Sequence, residues 1–542
     1  MAGAGGDEAA PPPAPPPPPL DRPPMDEPAA AARKLSRLEH HGSVGEEPSF
    51  RMENLPEVPN SQKNNQKIDI TEKPSKEIQP VVISLLQLKE AVRTSIVARS
   101  WRMLWTFHSN LCFYGPDDMD YHSEEYYGLD KQVIDDFIKT KRAKFIEDVN
   151  WVIQRHSGVG ISKFSIRCGL HKEEFDHLDR WIAFATSSKA KVIEFDMKIV
   201  KSWPSKEAHH FPLEALDVQG SSFVQSLFLA NVSVKPHSGI RGFTILRRLV
   251  LQYVQIFGDF PGLLANCSAL EELEIIRCSG VTNLSIPHQL DKLQHLVIKK
   301  MDVKMVEFHA AHLAHFVYKG RGMPILLHGC SKLETATMKF QGSKGLGRVF
   351  TLVPSILPVK TLNVRADIYG YEQLQKLTTR SRGMFTHLRH MTCQLLIRYS
   401  SELPNADNGV LQLAHCLNAA PQLETLHLDM IYYKKLLNGL RNDEVEGEEE
   451  GSPMRRHDNL KSVHISGFRL YSAQKKLACC ILENAPLLEQ MQLEAKCAEG
   501  MKVACAMNIG FQRRFVPWVR EWAQLTSLRF GKEVTAVDSP SE

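Results

Sequence analysis

The 542 residues carry 66 Lys and Arg against 62 Asp and Glu, a net charge of +4, with 43% hydrophobic and 24% charged residues. This is an ordinary globular composition with room for two or three domains, and its charge is too small and too mixed to make nucleic acid or an anionic membrane the main partner. The 11 cysteines form no CxxC pair or metal-like spacing, and no apolar run reaches the roughly 18 residues of a membrane span, so the expectation is a chain of a reducing compartment, in the nucleus or cytoplasm.

Residues 1–73 begin MAGAGGDEAAPPPAPPPPPL, without the charged start and apolar stretch of a signal peptide. Their Pro, Ala, Glu and Asn content gives too few periodic apolar positions to offset chain entropy, and predicts disorder. The tract Pro11 to Pro19 is expected to be a spacer, with docking as a polyproline II ligand the alternative.

Between Glu77 and Trp105 the composition changes abruptly. Apolar residues fall on three helical stripes: Ile78, Val81, Val82 and Leu85; then Leu88, Val92 and Ile96; then Val97, Trp101, Leu104 and Trp105. Three short amphipathic helices follow from this over 74–110. Fewer than about 40 residues cannot bury a self-sufficient core, so the unit must lean on a partner or on its own chain. Residues 111–154 are expected to form a helical linker or cap.

From 155 to 532 the sequence repeats. LRRLVL at Leu246, LEELEI at Leu270, LQHLVI at Leu293, LAHFVY at Leu313, LETATM at Leu333 and VKTLNV at Val359 share apolar residues at positions 1, 4 and 6. The series continues at Leu388, Leu423, Leu460, Leu488 and Leu525, with weaker copies from Lys163, Lys191 and Gln225. A short strand that points alternate side chains inward, recurring every 20 to 29 residues, is the mark of a leucine-rich-repeat solenoid of α/β class. Spacings wider than this, as between Leu423 and Leu460, require insertions such as the acidic DEVEGEEE at Asp443 to Glu450. The last ten residues, 533–542, are expected to be a disordered tail.

Catalytic chemistry finds no set of residues to work with. His309, His312 and His315 are spaced by three, but His315 lies in the predicted strand LAHFVY and the three cannot share a helical face, so no metal or cofactor is expected. His209 and His210 have no acidic residue at ligand spacing and read as a loop pair. GSKGLGRV from Gly342 lacks the Gly-Lys-Ser/Thr ending of a phosphate loop. Cys267 and Cys330 open repeats and read as buried, structural thiols.

The stretch from Glu77 to Trp105 resembles an F-box. Ser84, Leu85, Leu86 and Leu88 match the joint between the first two helices, and Val97, Trp101, Leu104 and Trp105 match the close of the third. The segment Asn459 to Ala495 resembles the FBD segment of plant F-box and leucine-rich-repeat proteins. The resemblance implies a non-catalytic substrate receptor of an SCF-type cullin–RING ubiquitin ligase. In that reading Val82, Leu85, Leu86, Leu88, Val92, Ile96, Val97 and Trp101 dock on a Skp-type adaptor, and through it on a cullin, while the repeats hold the protein to be ubiquitinated. The chain departs from the pattern at Pro74-Ser75, where the family has Leu-Pro, at Gln87, and at Pro80, which is expected to be the first residue of helix 1 and to remove Ile78 from the contact stripe. The alternative is a repeat scaffold whose F-box no longer engages an adaptor.

In such a solenoid, motif positions 2, 3 and 5 face outward onto the concave surface. There they place Arg247, Arg248 and Val250 beside Glu271, Glu272 and Glu274, followed by Gln294, His295 and Val297. These charged rows either contact the substrate or pair with each other across the strands.

Overall fold

The protein, seen in a computed structural model, is described for residues 78–97, 99–116, 130–197, 208–217, 223–321, 323–341, 359–369, 385–398, 410, 413–414, 417–433, 454–495 and 509–537. The Pro-rich leader, Gly342 and its neighbours, and the acidic run Asp443 to Glu450 lie outside the described residues.

One parallel sheet of fifteen strands dominates the architecture, ordered in space as in sequence. Its strands are β1 (Asn110–Tyr114), β2 (Lys163–Arg167), β3 (Val192–Asp196), β4 (Ser226–Ala230), β5 (Arg248–Gln252), β6 (Glu272–Ile276), β7 (His295–Lys299) and β8 (His315–Arg321). They continue with β9 (Thr335–Gln341), β10 (Thr361–Tyr369), β11 (His390–Arg398), β12 (Thr425–Tyr433), β13 (Ser462–Ser466), β14 (Gln490–Glu494) and β15 (Glu533–Val537). Helices are α1 (Ile78–Leu85), α2 (Leu88–Val97), α3 (Lys131–Arg155), α4 (Phe175–Ser187), the single-turn α5 (Phe260–Ala265), α6 (Ser472–Asn484) and α7 (Ile509–Phe530). A second, three-stranded parallel sheet joins 284–289, 306–309 and 325–328.

The repeat motif explains the sheet. Leu246, Leu249 and Leu251, Leu270, Leu273 and Ile275, and Leu293, Leu296 and Ile298 are all buried in one continuous core. Each such side chain contributes roughly 2 kcal/mol of burial, and together they hold successive coils in register. Cys267 and Cys330 lie in the same core, where burial pushes their thiols up to about 12 and about 11, so they pack as small apolar groups. Beside Cys267, Asn266 donates to the carbonyls of Ser238 at 2.8 Å and Ile240 at 2.9 Å, tying its coil to the preceding one. At the exits of β4 to β7, Asn231, Tyr253, Arg277 and Lys300 adopt left-handed backbone with φ from 51° to 59°, a recurring corner with no periodic glycine to announce it.

Several boundaries differ from those read in the sequence. The sheet begins at β1, inside the stretch expected to be a helical linker, and ends at β15, inside the expected tail. The motif at Leu525 is not a strand: it falls within α7, with Leu525 and Leu528 exposed. Its 1-4-6 spacing is compatible with a helix, and the strand lies one turn further on. The third helix of the F-box-like unit is replaced by two short 3₁₀ turns, Arg99–Trp101 and Leu104–Phe107. Helix α1 starts at Ile78 rather than Pro80. Proline is tolerated there because first-turn N–H groups have no intrahelical acceptor to lose.

The helices are joined to the sheet by a built junction. Trp105 stacks on Trp151 of α3 at 5.3 Å and 12°, and Arg155 covers the other ring at 4.4 Å. His108 Nδ1 accepts from the Asn110 N–H at 3.1 Å, so its Nε2–H is the atom aimed at the Leu86 carbonyl, 2.9 Å away. His156 repeats the device, accepting from the Gly158 N–H at 3.0 Å and donating to the His108 carbonyl at 3.0 Å. Burial holds the His156 pKa below its ordinary value of 6.5. A depressed histidine stabilises the fold fully above its unfolded pKa, and that contribution is lost as pH falls through the folded value. The thermal midpoint should therefore decline as pH falls below the ordinary histidine value of 6.5. His156→Gln, which keeps one donor and one acceptor, should flatten that slope in scanning calorimetry, and an unchanged slope would remove His156 from its cause.

Candidate functional site

Two surfaces are candidates for recognition, and each is set by which side of an element the core claims. On the F-box-like unit, the inner side takes Ile83, Leu88, Ala91, Val92 and Trp105 into the core, with Leu86, Trp101 and Leu104 half-buried against it. The outer side leaves Leu85 81% exposed, Val81 57%, Phe107 62% and Met103 61%. The turn carrying Phe107 packs against α1. Of the residues expected to dock an adaptor, Leu85 is free, Val82 and Leu86 are partly free, and Leu88 and Val92 are committed to the chain's own core. The side chains of Ile96 and Val97 lie outside the described residues. Hydropathy could not separate the two sides, because both are apolar. Val81, Met103 and Phe107 are the residues that the sequence reading omitted from the exposed set.

The second surface is the open face of the sheet, where parallel register turns equivalent strand positions into rows. Arg248, Glu272, His295 and His315 form one row on β5 to β8. Arg248 bonds Glu272 at 2.8 Å and Glu274 at 3.4 Å, and Arg247 lies 3.7 Å from Glu271. His295 stacks on His315 at 4.6 Å. Val250 faces the same side but is buried between its neighbours, so it offers no free surface. The expected Arg and Glu rows are thus brought together, and they face each other. Burial pushes the Glu274 carboxyl above its ordinary value, the adjacent Glu272 adds to the push, and Arg248 and Lys299 oppose it.

One cluster could hold a divalent cation. Glu307, His309 and His328, on neighbouring strands of the small sheet, bring one ligand atom each within 4.8 Å of one another. Ser285 donates to Glu307 at 2.6 Å, and the two imidazoles stack at 4.4 Å. His312 and His315 take no part: His312 faces the Asp291 carbonyl and His315 belongs to β8. His209, expected to be a loop residue without an acidic neighbour, is buried and lies 2.8 Å from Asp179 of α4. Among the described residues no helix is long and apolar enough to cross a membrane.

The family model of the At1g61320/AtMIF1 LRR domain matches residues 152–513. Relatives in Arabidopsis thaliana include the F-box/LRR-repeat protein At3g58900, 27% identical over 247 residues, which are 44% of this chain and 68% of the relative. The F-box/LRR-repeat protein At3g58940 is 36% identical over 109 residues, covering 20% and 15%. The F-box protein At3g03040 is 22% identical over 461 residues, covering 78% of this chain and 89% of its own length.

The paired rows make a stability prediction. Arg248→Ala leaves Glu272 and Glu274 facing each other and should cost about 1 kcal/mol, whereas Glu274→Gln removes a carboxylate that the fold disfavours and should be neutral or stabilising by a similar amount at pH 7. Chemical denaturation of both variants checks this. Equal destabilisation by the two would show that the Glu274 charge is stabilising after all.

Proposed function

This chain belongs to the leucine-rich-repeat family of the At1g61320/AtMIF1 domain and is a plant F-box/LRR-repeat protein, and from that premise we propose that it is the substrate-recognition subunit of an SCF-type cullin–RING ubiquitin ligase. In this reading the outer face of α1 and of the turn at 104–107 meets a Skp-type adaptor, which connects to the cullin. The repeats hold the target, and the chain itself performs no chemistry. The observation that supports the reading most is the two-sidedness of the F-box-like unit. Its inner side is anchored by Leu88, Val92 and Trp105, while Val81 and Leu85 stand in solvent at 57% and 81%. Exposed apolar side chains clustered on a rigidly held helix are disfavoured in an isolated chain and suit burial against a partner.

The expected docking set therefore narrows to Val82, Leu85 and Leu86, with Val81, Met103 and Phe107 added. The junction gives this surface a role beyond binding. Because Trp105 stacks on α3 and His108 ties Leu86 to β1, an adaptor seated on α1 would be held at a fixed distance from whatever the sheet carries.

Val81→Arg with Leu85→Arg should abolish co-purification of a Skp-type adaptor while leaving the thermal midpoint within about 2 °C, since exposed substitutions change stability by only a few tenths of a kcal/mol. Leu88→Arg should instead destabilise the chain by several kcal/mol, because it places an unpaired charge in the core. Retention of the adaptor by the folded double variant would refute the docking surface.

A further inference from the structure

Beyond the paired Arg and Glu residues, the open face carries a second and different row. Lys299, Lys319, Lys339 and Arg365 occupy one register position on the four adjacent strands β7 to β10. All four are partly buried, and among the described residues no carboxylate lies within ion-pair distance of any of them. The positions two residues earlier on the same strands are Val297, Val317, Thr337 and Asn363, which bring no charge. Along the row, the neighbours on the β6 side are Ile276, then Gln252 and Ala230, while Glu274, paired with Val297 two residues before Lys299, is the one carboxylate among the described residues that acts electrostatically on that end of the row, beyond ion-pair distance. On the other side comes Gln394, whose amide donates to Asp429 at 2.8 Å. Asp429 also accepts from Ser466 at 2.8 Å. Asp367 stands two residues beyond Arg365 on β10, at the far end of the row from Lys299. Arg277 and Lys300 flank the row at the exits of β6 and β7 and add like charge to it.

Resting on the reading of the repeats as the part that holds a target, we infer that this row recognises an extended, acidic segment of a partner protein, with carboxylates at alternate residues. Neighbouring strands are ~4.8 Å apart, so the four cations span ~14 Å. In an extended peptide, side chains on one side recur every ~6.8 Å, so carboxylates on the first, third and fifth residues cover the same length. A single compact anion would engage only part of the row. Single-stranded nucleic acid has a similar charge spacing, but the adjacent positions offer Val, Thr and Asn where a stacking platform needs aromatic rings. The deficit of charge also has a physical sign in the protein. Burial, followed by Arg365, Lys319 and Lys299, holds the Lys339 amine below its ordinary range, and an anion laid along the row would relieve that repulsion.

The test is fluorescence anisotropy on the full chain with three labelled probes: a dodecapeptide with Asp and Glu at alternate positions, its Asn and Gln counterpart, and a twelve-residue oligothymidylate. The acidic peptide should bind, weaken steeply with salt, and lose ~10-fold or more in affinity with Lys319→Gln plus Lys339→Gln. Lys139→Gln plus Lys292→Gln, an equal charge change at exposed sites off the row, should lose less than ~2-fold. The row variant should keep or raise the thermal midpoint, because like charges have been removed, so lost binding cannot be ascribed to unfolding. Equal losses from the two variants, binding of the neutral peptide, or tighter binding of the oligonucleotide would overturn the inference. Adaptor co-purification is measured on the same row variant and should not change. A chain that binds the acidic peptide without binding an adaptor would refute the ligase reading and leave the acidic-segment site standing.

Discussion

In-register parallel pairing is the constraint on which the rest of the molecule depends. Every neighbouring pair in the fifteen-stranded sheet runs parallel and in spatial sequence order, so each coil must return its chain by one strand spacing to the same starting level. The buried motif residues enforce that level, because a slip of one residue would exchange core and solvent side chains along the whole strand. Once the level is fixed, any residue type that recurs at one motif position becomes a row across the surface. The paired Arg and Glu residues, the stacked His295 and His315, and the cationic row are all consequences of a register set by leucines on the other side.

The same constraint gives the junction its importance. A sheet edge exposes unpaired backbone groups, and β1 together with the helices before it occupies that end of the solenoid. Trp105 and Trp151, then His108 and His156, convert a loose helical pair into an extension of the sheet. The far end is finished in a comparable way. Lys532 donates to the carbonyls of Leu482 and Ala485, each at 2.6 Å, at the C-terminal end of α6, and β15 closes the sheet beyond α7. In α6 itself the fully buried Gln474 accepts from the Arg469 N–H at 2.8 Å and donates to the Gly467 carbonyl at 3.0 Å, so the tight turn leaving β13 keeps its backbone groups satisfied.

What was legible in the sequence follows from which interactions are local. The strands from Leu246 to Leu488 announce themselves because each repeats the same short apolar pattern, and each begins at the third residue of its motif. The copy at Leu525 misleads because three apolar positions in six fit a helix as well as a strand, and only its position after 509–524 decides between them. Strands β1 and β15 have no leucine-led motif and were missed for that reason. The division of the F-box-like unit into buried and exposed sides was illegible for a different reason: Leu85 and Leu88 are chemically alike, and the elements that pack against the helix of Leu88, the turns at Arg99–Trp101 and Leu104–Phe107 and strand β1, are brought there by tertiary packing that hydropathy does not announce. Histidine spacing failed similarly. The cation-competent group joins His309 to His328 across strands, and nothing in the run His309, His312, His315 points there.

The open face also separates two uses of charge that composition cannot distinguish. A net charge of +4 reads as neutral bulk, yet its distribution along the sheet is uneven. On β5 and β6 opposite charges sit side by side, with Arg248 between Glu272 and Glu274 and Arg247 near Glu271, so that only the crowding of Glu272 on Glu274 is left uncompensated. On β7 to β10 four cations share a row, and their separation of a few ångströms is well inside the ~10 Å screening length of a salt solution. Paired charges make a surface that is electrostatically finished, whereas a row of like charges retains a field until something of opposite sign lies along it. The part of the face that the sequence reading favoured for recognition is therefore the part most satisfied without a partner, and the stretch beside it is the part that gains most from one.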